Sequence, residues 1–292
     1  MKVSGFTIAR GAVHFGYQLE ESIRSLLPIV DEYIVGVGDM DDGTLELVEG
    51  IKDPKLKIFH STWDMSQRED GLVLSVETNK ALDRCTGDWA VYLQADEVLH
   101  EDDLPKLRAA MEEHLHDSSE ALEFNYLHFY GSFHTVQDHR RKWYRHAERA
   151  VKTGIGIRSQ GDAFGFRRVV DGKERSCKRA NCGVRVFHYG WSRPPEVMME
   201  KQMNLDRMYH DEAWIAETYA KENAKVREFY RDRGHLKLFT GSHPATMQAR
   251  VAAQDWTFDH GIERQAPDWL RHLYVALFYS LEKRWRRWFP RR

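Results

Sequence analysis

Hydrophobic and polar positions follow two different periods along the first third of the chain. Four β-rich runs have the length of strands, and they cover residues 2–10, 32–39, 55–63 and 88–97. Between them, three segments repeat apolar residues every three or four positions, as amphipathic helices do; these are residues 17–30, 42–51 and 71–85. This alternation predicts an α/β protein with a mostly parallel sheet flanked by helices.

Polar residues follow the predicted strands where each strand ends. They lie in the stretches Thr7 to Arg10, Asp39 to Asp42, and Asp96 with Glu97. The carboxyl ends of parallel strands share one edge of a sheet, where α/β proteins bind ligands. Solvated loops would have the same composition, so a purely structural explanation stays open. The sequence has no glycine-rich phosphate loop, and a divalent cation held by Asp96 is another way to bind a diphosphate.

Composition narrows the class of protein. The chain has 292 residues, of which 42% are hydrophobic, and a formal net charge of -2. We therefore expect a globular protein that does not bind nucleic acid.

The sequence contains neither a signal-peptide pattern nor an apolar run long enough to span a bilayer, which predicts a cytoplasmic location. Cys85, Cys177 and Cys182 form neither a disulfide framework nor a convincing zinc pattern.

Four segments, in their order and at their separations, resemble family 2 glycosyltransferases with the GT-A fold. They are FTIARGAV, IVGVGDMDDGTLEL, NKALDRCTGDWAVYLQADEVL and FHYGW, and the agreement is best over residues 1–105. The resemblance implies inverting transfer of a sugar from a nucleotide sugar, with a UDP-sugar favoured. The acceptor it implies is a glycan or a lipid-linked glycan of surface polysaccharide or lipopolysaccharide-type biosynthesis. It also implies a divalent metal cofactor, Mn²⁺ or Mg²⁺.

The resemblance assigns residues to the nucleotide. Ile8, Ala9 and Arg10 would line the base and ribose, and Asp39 would accept a hydrogen bond from the base. Asn79 lies near the position that faces the diphosphate or the sugar in this family. The turn from Asp39 to Thr44 is shorter than the family usually shows.

Gln94, Ala95 and Asp96 occupy the family's Asp-x-Asp position. Asp96 would bind the metal, whereas Gln94 and Ala95 would approach the ribose and the donor sugar. Gln94 replaces the first acid of the motif and removes one negative charge. His188 ends a later β-rich run, where a histidine often completes the metal site in this fold; a packed or surface imidazole is the alternative.

A catalytic base is expected downstream of the fourth strand, where it would remove the proton of the acceptor hydroxyl. Asp162 is the preferred candidate because glycines flank its loop. Asp171 and Glu174 are rivals, although Asp171 precedes a glycine in a typical hairpin turn. Glu97 is expected to orient Asp96 or the acceptor.

The sequence predicts a catalytic domain at residues 1–192 and a helical extension at residues 193–292. The domain divides into a nucleotide-sugar-binding half, 1–105, and an acceptor-facing half, 106–192. Aromatic and arginine residues between Phe124 and Arg149 would suit a sugar-phosphate acceptor, and a packed strand explains them equally well.

The last predicted helix carries an apolar aromatic face, and every charged residue after Glu282 is basic. The apolar positions are Leu270, Leu273, Tyr274, Leu277, Leu281, Trp285 and Trp288. This pattern favours peripheral contact with an anionic membrane at the inner face of the cell membrane, against a helix docked on the core. A nucleotidyltransferase of related fold, or a catalytically silent membrane-docked binding module, stays open as an alternative function.

Overall fold

The computed structural model describes residues 1–139, 142–220, 230, 235–262 and 265–275. The strands are β1 (Val3–Ala9), β2 (Glu32–Gly38), β3 (Leu56–Ser61), β4 (Trp89–Tyr92), β5 (Glu97–Leu99), β6 (Ala121–Tyr130), β7 (Thr135–Gln137), β8 (His146–Lys152), β9 (Ile157–Ser159), β10 (Phe166–Val170), β11 (Lys173–Ser176), β12 (Arg179–Trp191) and β13 (Leu236–Leu238). The α-helices are α1 (Leu19–Leu26), α2 (Thr44–Glu49), α3 (Leu72–Leu82), α4 (Leu104–Glu113), α5 (Pro195–Asp206), α6 (Glu212–Ala220) and α7 (Gln248–Ala252).

The main sheet begins with four parallel strands in the order β3-β2-β1-β4. It continues through antiparallel β8 and β6 to β7 and β13. Strand β12 pairs in parallel with β6 and antiparallel with β5. Strands β9, β10 and β11 form a separate small antiparallel sheet. The predicted α/β architecture, with its mostly parallel first half, is confirmed.

The parallel strands are buried on both faces, which is why they appear in the sequence as continuous apolar runs. On one face, Val3 and Val35 pack with Leu19 and Ile23 of α1. On the other face, Phe6 and Ile34 pack in the core that includes α3. This arrangement fixes the carboxyl ends of β1, β2 and β4 along one edge.

The extension begins immediately after β12. Pro195 occupies the first turn of α5, a position where its missing amide proton costs no hydrogen bond.

Residues 268–275 are helical, and Trp269, Leu270, Leu273 and Tyr274 on this segment are exposed. Leu277, Leu281, Trp285 and Trp288 lie outside the described residues. In the described part of the chain, no helix has the length and hydropathy needed to cross a membrane. The division at residue 192 stays a prediction.

A buried carboxylate joins the first three strands to the loop before β4. Glu32 accepts hydrogen bonds from Ser4 Oγ at 2.6 Å, from the Thr86 amide and hydroxyl at 2.7 Å each, and from Lys57 Nζ at 2.5 Å. Burial alone would raise the pKa of Glu32, but the hydrogen bonds from Lys57, Ser4 and Thr86 lower it to about 2.

We expect Glu32→Gln to lower the free energy of unfolding at pH 7 by roughly 2–3 kcal/mol, because the ionised carboxylate is preferred in the folded state. The folded pKa lies below the unfolded one, so this contribution is complete above about pH 5 and is lost as the pH falls toward about 2. Urea unfolding at pH 7 and at about pH 3.5 measures this change, with Glu49→Gln, at an exposed residue, as the control. An equal gap between wild type and Glu32→Gln at both pH values would contradict the assignment.

Candidate active site

The end of β4 brings Asp96 next to β12. The Tyr189 amide donates to the Asp96 carbonyl oxygen at 2.8 Å, and His188 Nε2 lies 3.8 Å from Asp96 Oδ1. Gly190 permits this approach, because a Cβ at its position would lie 2.6 Å from His188 Nε2 and 3.0 Å from Asp96 Oδ2. The glycine of the His188-Tyr189-Gly190 sequence therefore has a steric reason.

Lys201 of α5 neutralises Asp96. Its Nζ donates to Asp96 Oδ2 and to the Gly190 carbonyl oxygen, both at 2.8 Å, and it lies 4.8 Å from the centre of the Tyr17 ring. Asp96 and Lys201 are both buried. No motif marks this lysine in the sequence, although it lies on the same helical face as Met198 and Leu205, where a charge is unusual.

Arg193 adds a second buried positive charge. Its guanidinium donates to neutral oxygens, the Phe15 carbonyl at 2.8 Å and the Gln18 side chain at 3.3 Å among them. Burial raises the pKa of Asp96, but Lys201, His188 and Arg193 together hold it well below its usual range. Burial and Arg193 lower the pKa of Lys201 to about 8, so Lys201 stays largely protonated at pH 7.

A pair of histidines fixes the tautomer of His188. His128 Nε2 lies 2.6 Å from the Tyr144 carbonyl oxygen, so this nitrogen must be the donor. Burial lowers the pKa of His128 to about 3 and that of His188 to about 4, which makes both rings neutral at pH 7. The 2.9 Å contact between their Nδ1 atoms then requires His188 Nδ1 to donate. His188 Nε2 consequently presents a lone pair on the Asp96 side.

These groups line a cleft of about 280 Å³, which we call the Asp96 cleft. Its lining residues are Tyr17, Leu74, Tyr92, Gln94, Ala95, Asp96, Tyr144, Asp162, Phe164, His188, Trp191, Lys201, Leu205 and Tyr209. The structure thus brings together Gln94, Ala95, Asp96, Asp162 and His188 from three separate parts of the sequence.

Asp162 is an exposed residue of this lining. Its Oδ1 accepts a hydrogen bond from the Phe164 amide at 3.1 Å, which orients the carboxylate in its tight loop. The rivals Asp171 and Glu174 are exposed in the β10–β11 hairpin, and neither belongs to the lining of the Asp96 cleft.

A second cleft, of about 350 Å³, lies at the end of β1 and is called the Arg10 cleft. It is lined by Arg10, His14, Phe15, Met40, Glu200, Met203, Asn204 and Arg207. Arg10 Nε contacts Asp39 Oδ1 at 3.3 Å at its edge. Ile8 and Ala9 are buried within β1 and do not line it. Helix α5 borders both clefts, since Lys201 lines the first and Glu200 the second.

A family model described as "Glycosyl transferase family 2" matches residues 17–172, which is more than half of the chain. The chain belongs to glycosyl transferase family 2. It is therefore a glycosyltransferase, and its sheet with flanking helices is the GT-A fold that the sequence predicted. Lys201 lies beyond the matched residues. No curated protein matches the chain.

Solved structures match the chain at low identity. TarS from S. aureus has 17% identity and a TM-score of 0.40, with 80% of this chain and 45% of that chain covered. This chain therefore spans less than half the length of that structure. Glucosyl-3-phosphoglycerate synthase from Mycobacterium tuberculosis, in complex with Mn²⁺, uridine-diphosphate and phosphoglyceric acid, has 13% identity and a TM-score of 0.38, with 72% and 80% covered.

Asn79 differs from its expected place in this glycosyltransferase. Its side-chain amide donates to the Ser159 carbonyl oxygen and accepts from the Ser159 amide, both at 2.9 Å. Both polar groups are used to join α3 to β9, and Asn79 lines neither of the two clefts. The side chain therefore holds the small sheet in place, whereas the resemblance implied a position near the diphosphate or the sugar.

The carboxylate of Glu97 is likewise used in contacts within the fold. It is fully buried and forms a bidentate ion pair with Arg149, with distances of 2.7 and 2.8 Å. Tyr126 and the Gln94 amide donate to the same carboxylate. Arg149 in turn donates to the Phe164 carbonyl oxygen at 2.9 Å, so Glu97 supports the loop that carries Asp162 without entering the Asp96 cleft.

The aromatic residues of the middle segment were predicted either to contact an acceptor or to pack in a strand, and the structure contains examples of both positions. Phe124 is in the hydrophobic core, and Tyr126 is bonded to Glu97. Tyr144 lines the Asp96 cleft, and Trp191 at the end of β12 lines it as well. Packing therefore explains the strand, while the aromatic residues that line the cleft are of the type that can stack on a sugar ring.

The fit of a divalent cation depends on donor number and on charge. Asp96 Oδ1 and the lone pair of His188 Nε2 face each other and would be its protein donors, and in the described residues no group of three or more such side chains has metal-site geometry. The charges around these two donors do not fit a resident metal. Lys201 already neutralises Asp96, the one carboxylate of the pair, and Arg193 adds a further positive charge.

We expect Glu97→Gln to lower the free energy of unfolding by about 3–5 kcal/mol, because Arg149 would keep its buried charge without a counter-charge. Urea unfolding of the variant measures this loss. Glu123→Gln, which removes a partner from the more exposed Arg179, is the control and should cost less than about 1 kcal/mol. A Glu97→Gln protein as stable as wild type but without transferase activity would give Glu97 a direct catalytic role.

Proposed function

We propose that this enzyme transfers a glycosyl group from a nucleotide sugar bound across the two clefts. The diphosphate and sugar would occupy the Asp96 cleft, and the base and ribose would lie toward Arg10 and Asp39. The observation that carries the proposal is the pair of buried positive charges at the end of β4, where Lys201 and Arg193 lie beside the single carboxylate of Asp96. An anionic diphosphate is the ligand that such a charge favours.

The proposed reaction is a displacement at the anomeric carbon. Asp162 removes the proton of the acceptor hydroxyl, whose oxygen forms a bond to the anomeric carbon. The bond from that carbon to the diphosphate oxygen breaks, and its electron pair leaves with the nucleoside diphosphate. Lys201 stabilises this developing negative charge. Attack from the face opposite the leaving group inverts the configuration.

The acceptor proposed is a glycan, free or lipid-linked, as in surface polysaccharide biosynthesis. Tyr144, Phe164, Trp191 and Tyr209 line the Asp96 cleft with Asp162, and their rings can stack on a sugar. Membership in the family favours glycosyl transfer over the nucleotidyl transfer considered above, and no feature of the described residues adds support for the latter.

The predicted Mn²⁺ or Mg²⁺ at Asp96 and His188 stays a prediction. The charges of Lys201 and Arg193 beside Asp96 do not fit such a cation, and the proposed reaction takes no step through a metal.

Asp162→Asn is expected to reduce glycosyl transfer by about 100-fold or more with little change in donor affinity, because the base acts only on the acceptor. Mass spectrometry with a panel of sugar nucleotides first identifies the donor through its transfer or hydrolysis. Donor hydrolysis and transfer are then compared for wild type, Asp162→Asn and Asp171→Asn, the last being the control in the hairpin. Equal activity of all three proteins would remove Asp162 from the mechanism.

Peripheral membrane contact is proposed for the end of the chain. Trp269, Leu270 and Leu273 are exposed on one helical segment, with Trp269 68% exposed, and the sequence that follows ends in a basic cluster. An apolar face next to Lys and Arg residues suits an anionic lipid surface. The enzyme would then act at the inner face of the cell membrane, where a lipid-linked acceptor is held.

We expect the full chain to bind vesicles containing phosphatidylglycerol more tightly than vesicles of phosphatidylcholine, and less tightly at high salt. Vesicle flotation measures this binding. Trp269→Ala together with Leu273→Ala should weaken it, whereas Trp214→Ala on α6, also at an exposed tryptophan, should not. No binding by wild type, or equal binding by all variants, would contradict the proposal.

A further inference from the structure

We propose that Lys201 is the cation of the donor site, so that nucleoside diphosphate binding requires no divalent metal. This inference rests on the proposed function, because it assumes that the donor diphosphate binds in the Asp96 cleft. It names a residue outside the part of the chain that the family model matches.

The ammonium group of Lys201 is held in a fixed position. Asp96 Oδ2 and the Gly190 carbonyl oxygen each accept from Nζ at 2.8 Å, and the Tyr17 ring packs beside it. A lysine ammonium has three N–H groups, so one donor is left for a phosphate oxygen. Since Lys201 is part of the cleft lining, a diphosphate in the cleft can reach this group.

The charges at the end of β4 balance without a metal. An Asp-x-Asp pair carries two negative charges, which a divalent cation neutralises. Here Gln94 takes the place of one acid, and the single charge of Asp96 is neutralised by the single charge of Lys201. The loss of the acid and the gain of the lysine each make the site more positive by one charge, and together they equal the two positive charges that a divalent cation would bring.

Arg193 adds one positive charge beside the Asp96–Lys201 pair, whose own charges cancel. It is buried and donates to the carbonyl oxygens of Tyr189 and Gly190, which bring no counter-charge. The Gly190 carbonyl thus accepts from both Arg193 and Lys201. Addition of a divalent cation beside Asp96 would raise a charge that is already in excess, whereas addition of a diphosphate lowers it.

Isothermal titration calorimetry of the full chain with UDP, GDP, CDP, dTDP and ADP tests the inference, first in EDTA and then in Mn²⁺. We expect the nucleotide that binds to do so with equal affinity, within about twofold, in both buffers. Lys201→Met should weaken binding in EDTA by about 10- to 100-fold, because a hydrogen bond to a charged group is lost. Lys201→Arg should retain more of the affinity than Lys201→Met.

Lys106→Met is the matched control. Lys106 also pairs with a buried aspartate, Asp103, at 2.7 Å, but it lies outside both clefts. Its variant should bind the nucleotide as wild type does. Circular dichroism checks that the variants are folded, and the comparison of wild type in the two buffers decides the question even if Lys201→Met does not fold.

Wild-type binding that disappears in EDTA and returns with Mn²⁺ would overturn the role of Lys201 and leave nucleotide-sugar transfer intact. Unchanged affinity of folded Lys201→Met in EDTA would overturn it as well. Absence of binding of all five nucleotides in both buffers is a different result, because it would overturn the proposed function together with this inference.

Discussion

The ion pair between Asp96 and Lys201 is the interaction on which the site depends. A carboxylate buried at the end of a strand is unfavourable unless a partner compensates its charge. Here the partner comes from α5, a helix that follows the last long strand, at a sequence separation of 105 residues. The charge that the site offers to a ligand therefore depends on one contact between distant parts of the chain.

The two consecutive acids after β4 have opposite roles because of their surroundings. Glu97 points into the protein, where Arg149 and Tyr126 satisfy both oxygens, and it supports the loop of Asp162. Asp96 lines a cleft together with Lys201 and a neutral His188, and buried Arg193 adds a second positive charge near it. A fully satisfied carboxylate stabilises the fold, whereas one set in an excess of positive charge prepares a surface for an anion.

Hydrophobic periodicity was sufficient to predict the strands and helices of the first third of the chain. The strand and helix segments up to residue 97 are confirmed, since strands buried on both faces and helices with one apolar face leave distinct patterns. The hairpin at Asp171 was also predictable from its turn residues. The resemblance placed Ile8 and Ala9 against the nucleotide, whereas both are buried within β1, in the strand that the apolar pattern predicted.

The sequence by itself determined the α/β fold, the family and the set of polar residues at the carboxyl ends of the strands. Only the tertiary structure decided which of them share a cleft: Asp96, Asp162 and His188 meet, while Asn79 and Glu97 are used in packing. It also added Lys201, Arg193 and His128, which no local motif marks. The physical reason is that periodicity is a local property of the chain, whereas the partner of a buried charge is chosen by long-range packing.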